Sequence, residues 1–134
     1  MPVEHLGFVW PLARPHIARG LDREGAKRFE PADVLGRLYE GTAKLWVSWN
    51  ADQRAIEAAA VTEIVQFPRC RELRIWLVGG RNMRAWVYEM RDMIEAYARA
   101  HDCRYMSGAM RRGWVRVGGP GWHETGSMFE KELV

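Results

Sequence analysis

The sequence predicts an α/β fold, an α+β mixed sheet with helices on its faces, and three observations carry that prediction. An apolar strand, Leu73 to Val78, runs straight into Gly79-Gly80-Arg81-Asn82, and that turn opens a long amphipathic helix. Before it, two strand-like runs are joined by the polar turn Asn50-Ala51-Asp52-Gln53, which reads as an antiparallel hairpin. After it, Cys103-Arg104-Tyr105-Met106 reads as a further strand. A strand–helix–strand crossover in one sheet is right-handed and makes its two strands parallel.

Along the chain, Pro11 and Pro15 bracket a helix start, with Leu12, His16, Ile17 and Leu21 partly periodic, and Gly25 with its charged neighbours reads as a loop. A cleaner helix follows. Pro31 suits the first helical position, Asp33 the first turn, Gly41 the stop, and Val34, Leu35 and Leu38 form the apolar stripe. The period then changes to that of strands: Leu45 to Trp49, then Ala55 to Phe67 ended by Pro68, then Glu72 to Val78 after an Arg69-Cys70-Arg71 turn, a three-strand meander. The long helix spans Met83 to Ala100, with Asn82 at its N-cap. Trp86, Val87, Met90, Met93, Ile94 and Tyr97 share one face, and Arg84, Glu89, Arg91, Asp92, Glu95 and Arg99 the other. The strand at Arg104-Tyr105-Met106 returns beside Glu72–Val78. Met110 to Val117 makes one or two helical turns around Trp114, Gly118-Gly119-Pro120-Gly121 is a loop, and His123 to Leu133 reads as a final strand.

Composition bounds the function. A chain of 134 residues with 48% apolar content is one domain, residues 1–134, with a real core. No apolar run reaches the roughly 20 residues of a membrane span, and Met1-Pro2-Val3-Glu4-His5 lacks the regions of a signal peptide. Cys70 and Cys103 have no CxxC spacing and no paired histidines, which reads as reduced thiols and no metal site. The net charge is +3, carried by 17 Arg against 3 Lys. Arginine grips phosphate bidentately, but a GC-rich coding sequence gives the same bias, and the charge is too small and scattered to make nucleic acid the main partner.

Two readings of Gly79-Gly80 stand side by side. A glycine turn at a strand end, feeding a helix N-terminus, holds a phosphate through converging backbone N–H groups and the helix dipole. The plain alternative is a tight turn using the positive φ values that glycine tolerates.

The order of elements, with this turn between the meander and the long helix, resembles the GNAT N-acetyltransferase fold. The resemblance puts that fold's first strand at Leu6-Gly7-Phe8-Val9. Leu45-Trp46-Val47-Ser48-Trp49, Ala60-Val61-Thr62-Glu63-Ile64, Val78-Gly79-Gly80-Arg81, Arg112-Gly113-Trp114-Val115-Arg116-Val117 and Glu130-Lys131-Glu132-Leu133 look like short GNAT-like proteins of tailed phages and prophages, over nearly the whole chain from Trp10. The resemblance implies acetyl-CoA as cofactor, no metal, and a location in the bacterial host cytoplasm or the virion. In acetyltransferases of this fold a Gln/Arg-x-x-Gly-x-Gly/Ala turn binds the coenzyme A pyrophosphate. Here the shorter Val78-Gly79-Gly80-Arg81-Asn82-Met83-Arg84 stands in that place, with N–H groups from Gly80, Arg81, Asn82 and Met83 and charge from Arg81 or Arg84.

Acetyl transfer also needs a base for the acceptor amine and an acid for the leaving thiolate. Family bases are often a Glu on a central strand. Glu57 and Glu63 lie six apart, on one face of a regular strand, and Glu63, nearer the strand's end, is the preferred base. The family's acid, a Tyr after the strand that follows the long helix, has no counterpart. Tyr105 lies within that strand and Trp114 in the short helix. His5, His16, His101 and His123 form no triad or metal set.

Three functions follow: a phage-type acyl-CoA-dependent N-acetyltransferase acting on an unidentified amine; a non-catalytic GNAT-fold virion, assembly or tail/capsid protein whose partners are other virion proteins; and a nucleic-acid-binding module using Arg111, Arg112, Arg116 and Trp114 for phosphate contact and stacking. The retained strand–turn–helix favours the first, the altered turn and absent Tyr the second. A buried Trp114 anchoring its helix counts against the third. The acceptor and the oligomeric state stay open.

Overall fold

A computed structural model describes residues 2–23, 28–110 and 113–133. Helices α1 (Val3–Arg23) and α2 (Pro31–Glu40) precede the strands β1 (Lys44–Asn50), β2 (Ala55–Gln66) and β3 (Arg71–Gly80). Helix α3 (Met83–Ala100), strand β4 (Cys103–Gly108) and the short α4 (Trp114–Gly118) follow. The sheet runs β1-β2-β3-β4. The first two pairings are antiparallel and β3–β4 is parallel, as the crossover through α3 requires.

The sheet is covered on both faces. Leu6, Trp10, Ala13, Ile17 and Leu21 of α1, with Val34 and Leu38 of α2, pack on Leu45, Ala59, Val61 and Leu77. On the other face Trp86, Val87, Met90, Ile94 and Ala98 of α3 pack on Ala58, Ala60 and Leu73, with Tyr97, Trp114 and Val117 half-buried at the margin. Met93, expected on this stripe, is 55% exposed, one step round the helix from the true seam. Helix α2 obeys its sequence signals: Pro31 opens it, the Glu30 N–H donates to Asp33 Oδ2 at 2.8 Å, and Gly41 ends it at φ 81°.

Two expected strands are absent. Leu6-Gly7-Phe8-Val9 is the second turn of α1, which then continues through both prolines. Each proline removes one helix bond, to the carbonyl four residues earlier. The carbonyls released belong to Gly7 and Pro11; Gly7, Pro11 and Pro15 all sit on the exposed stripe, where water replaces the lost donors. Leu6, Trp10, Ala13, Ile17 and Leu21 keep an unbroken apolar seam on the other side. At the other end, His123–Leu133 is neither helix nor strand. Its glycine-rich approach and mixed alternation give it no single face to bury, and Met128, Phe129 and Leu133 are 90%, 91% and 87% exposed. Glu130 meets Arg28 at 2.8 Å. The loop expected around Gly25 falls outside the described residues, as do Arg111 and Arg112.

Candidate functional site

Gly79 and Gly80 end β3 as paired strand residues, opposite Ala59 and Ala58. Among the described residues the glycines with positive φ are Gly41, Gly119 and Gly121, so this pair is not a left-handed turn. Close approach explains it. A β-carbon on Gly79 would run into the His16 carbonyl of α1, and one on Gly80 would stand 2.5 Å from Ala58 Cβ and 2.7 Å from the Glu57 carbonyl oxygen. Ala58, Ala59 and Ala60 on the neighbouring strand are fully buried. Small residues on both strands thus let helices press on both faces at this end of the sheet.

The same end is open on one side. Pairing of β3 with β4 stops at Ile75–Gly108, while β3 continues to Gly80 with β2 as its neighbour. The two parallel strands part there, and the chain leaves β3 through Arg81 and Asn82 into α3. Asn82 takes the left-handed conformation, φ 52° and ψ 47°, which Asn tolerates better than most residues. It occupies the N-cap position, but its side chain does not cap the helix. The Ala85 N–H bonds the Asn82 carbonyl at 2.8 Å, and the Trp86 indole donates to the Arg81 carbonyl at 2.5 Å. Helix geometry leaves the amides of Met83 and Arg84 without intrahelical acceptors, and Arg81, Asn82, Met83 and Arg84 are all exposed. Val78 is half-buried against the α3 core. Arg81's own N–H donates to the Glu57 carbonyl at 2.8 Å, so that amide is already used.

Glu57 sits beside this turn. Its Oε1 accepts from Asn82 Nδ2 at 3.0 Å and from Asn50 Nδ2 at 2.6 Å. Those two bonds, Asn50's first, hold its carboxyl below the ordinary carboxylate range. Sequence reasoning weighed Glu57 only as a base and missed this role. The signal lay in Asn50 and Asn82, one at each neighbouring chain turn, and pairing register alone brings them together.

Glu63 lies near the other end of β2, and the register shift that leaves Glu57 unpaired between Ile56 and Ala58 breaks the regular alternation assumed for the two carboxylates. Glu63 pairs with Arg74 and Ala58 with Gly80, a separation of about 17 Å along the strand. Glu63 Oε2 meets Arg37 Nη1 at 3.4 Å and its Oε1 meets Arg74 Nη1 at 3.7 Å. It is level with the last β3–β4 pairs, Arg74–Ser107 and Ile75–Gly108, where the strands begin to part. The Arg37 guanidinium lies 5.1 Å from the Phe29 ring centroid and 5.0 Å from that of Trp76. Above it is a shallow depression of about 500 Å³ lined in part by Phe29, Asp33, Gly36, Arg37 and Glu40.

The remaining candidates are dispersed. Tyr105 is 52% exposed in β4. Trp114 is half-buried against α3 and Arg116 is exposed. His16 is buried, its Nε2 donating to the Ile56 carbonyl at 2.7 Å. Burial pushes the Cys103 thiol up. Among the described residues no three His, Cys, Asp or Glu side chains gather to hold a metal ion, and no helix is long and apolar enough to cross a membrane.

No protein-family model matches the sequence, and no curated protein matches it. Solved structures do match the fold. A GNAT family acetyltransferase of Staphylococcus aureus is 13% identical, with a TM-score of 0.65 over 99% of this chain and 95% of its own. A protein described as a predicted acetyltransferase of Clostridium acetobutylicum, solved with acetyl-CoA, is 15% identical, with a TM-score of 0.69 over 99% and 93%. The fold is that of the GNAT acetyltransferases. An aminoglycoside acetyltransferase from an uncultured soil sample, solved with sisomicin, shares the GNAT fold at 10% identity and TM-score 0.71, over 99% and 93%. At such identities the likeness speaks for the fold alone. Relative to the expectation from sequence, this GNAT fold begins with a helix in place of the strand at Leu6–Val9 and lacks the strand at 123–133 among the described residues.

Proposed function

We propose that this chain is an acyl-CoA-dependent N-acetyltransferase that binds acetyl-CoA at the β3–α3 turn and acylates an amine. One observation carries the reading: β3 outruns its pairing with β4 by five residues, and the exposed start of α3 stands at the mouth of the gap. The site fits a pyrophosphate through the amides of Met83 and Arg84, the positive end of an 18-residue helix, and the side chains of Arg81 and Arg84. Gly79 and Gly80 act beneath it by letting α1 and β2 come close. Bound there, acetyl-CoA supplies the activated acyl group.

The acceptor amine must lose a proton during transfer. Glu57, held below the ordinary carboxylate range, is a weak base at neutral pH. Glu63 is the better candidate because it stands level with the strand parting, and its ion pairs with Arg37 and Arg74 orient it. No side chain is assigned as the acid. The likeness of several segments to short phage and prophage proteins supports a phage-type member acting in the bacterial host.

A second reading has its own observation. Arg81's amide is engaged and the anionic Glu57 is tethered beside the helix start, so the turn is partly satisfied from within. That supports a non-catalytic virion or assembly protein on the same fold. The two readings separate in one assay, release of free thiol from acetyl-CoA on addition of a panel of primary amines. Amine-dependent release supports the enzyme; silence across the panel, with the protein folded, supports the virion role.

A further inference from the structure

We infer that Glu57 is a positioning residue for the phosphate-binding turn: it holds Asn82 left-handed from below, so that the first amides of α3 face outward before any ligand arrives. The inference rests on the acyl-CoA reading and assigns a role to a side chain outside the turn itself.

Five hydrogen bonds carry it. The Arg81 N–H bonds the Glu57 carbonyl, extending the β2–β3 ladder one step beyond Gly80–Ala58. Asn82 Nδ2 donates to Glu57 Oε1, so the side chain that could cap α3 reaches across to β2 instead. Asn50 Nδ2 donates to the same oxygen. Asn50 Oδ1 in turn accepts the N–H groups of Asp52 and Gln53 at 3.0 and 3.1 Å, which folds the β1–β2 turn onto the same carboxylate. One carboxyl oxygen therefore fixes two chain turns at the open end of the sheet.

A single left-handed residue at the head of a helix decides where the following amides point. An untethered Asn82 samples other conformations, and a ligand must then pay the ordering entropy on binding. Tethered by Glu57, the turn is ordered in advance. The bond needs an acceptor oxygen, which a glutamine amide also offers, so the role depends on the hydrogen bond and tolerates loss of the charge.

The test is calorimetry of coenzyme A binding to the full chain, with folding of each variant checked by circular dichroism. Glu57→Ala and Asn82→Ala should each weaken binding by about tenfold, and the double variant should be no weaker than Glu57→Ala alone, because that variant has already lost the Asn82 bond. Glu57→Gln should stay within about threefold of the parent, a rescue that loss of a generic structural residue would not show. Unchanged affinity in Glu57→Ala, or losses that multiply in the double variant, would overturn the positioning role. Should Glu57→Ala not fold, Asn82→Ala reads the same contact from the helix side, and unchanged affinity there overturns it equally. Absence of binding by the parent protein overturns the acyl-CoA reading and this role with it, a result distinct from binding that ignores both substitutions.

Discussion

Gly79 of β3 lies directly beneath the backbone carbonyl of His16 in α1, with no room between them for a β-carbon. This contact sets how closely the first helix seats on the sheet. Gly79→Ala should therefore destabilise the fold by about 3 kcal/mol or more, at the upper end of overpacking, because the His16 carbonyl is backbone and a β-carbon fixed to the strand cannot rotate away from it. Gly36 is the control. It lies in α2, and a β-carbon there would meet nothing within 4 Å, so Gly36→Ala should gain about 0.5–1 kcal/mol from helix propensity. Urea midpoints of the two variants check both signs.

Trp86 joins the core to the turn. Its ring is buried against the sheet while its indole N–H holds the Arg81 carbonyl. Trp86→Ala should cost about 3–5 kcal/mol. Trp86→Phe should cost less and still release the Arg81 carbonyl, so weakened coenzyme A binding in a well-folded Trp86→Phe protein would mark the hydrogen bond as the part that shapes the turn. Equal affinity would leave the ring as filler alone.

The bonds to Glu57 make stability depend on pH. Its carboxyl titrates lower in the fold than its ordinary value of 4.5. The stabilisation is thus complete above that value and is lost as pH falls through the lower folded one. Between neutral pH and about pH 3 the parent should lose more stability than Glu57→Gln, which has nothing to protonate there. Parallel urea curves for the two proteins at both pH values would contradict this.

Much of this fold was legible because local signals agree with the final packing. Pro31, Asp33 and Gly41 bound α2, the period change at Leu45 announces the hairpin, and the Trp86–Met90–Ile94 stripe reports the face that α3 buries. The misses share a cause: they depend on what lies across space. Pro11 and Pro15 look like the start of a helix until their spacing of four puts both on the solvent side of one that begins at Val3. Gly79 and Gly80 look like a turn until α1 arrives above and β2 alongside. The tail from His123 has strand-like residues but no neighbouring strand among the described residues. At the site, the amide-bearing turn was visible in the sequence. Glu57's tether to Asn50 and Asn82 was not, since it depends on pairing register.

Glu63 separates chemistry from scaffolding. As the proton acceptor, its replacement in Glu63→Gln should lower kcat by about 10²–10⁴-fold with little change in coenzyme affinity. As a strut between Arg37 and Arg74 it should cost about 1 kcal/mol or less, since both arginine side chains are partly exposed, at 40% and 46%. Steady-state kinetics beside a urea curve distinguishes the two, and full activity in the variant removes Glu63 from the mechanism.

The central claim is that the start of α3 binds the coenzyme's pyrophosphate. Backbone amide chemical shifts of the labelled protein, followed as coenzyme A is added, test it at the atoms concerned. The largest changes should fall on Asn82, Met83 and Arg84, should saturate, and should shrink in an Arg81→Ala, Arg84→Ala protein. Changes clustered elsewhere, or none at all at saturating coenzyme, would contradict it.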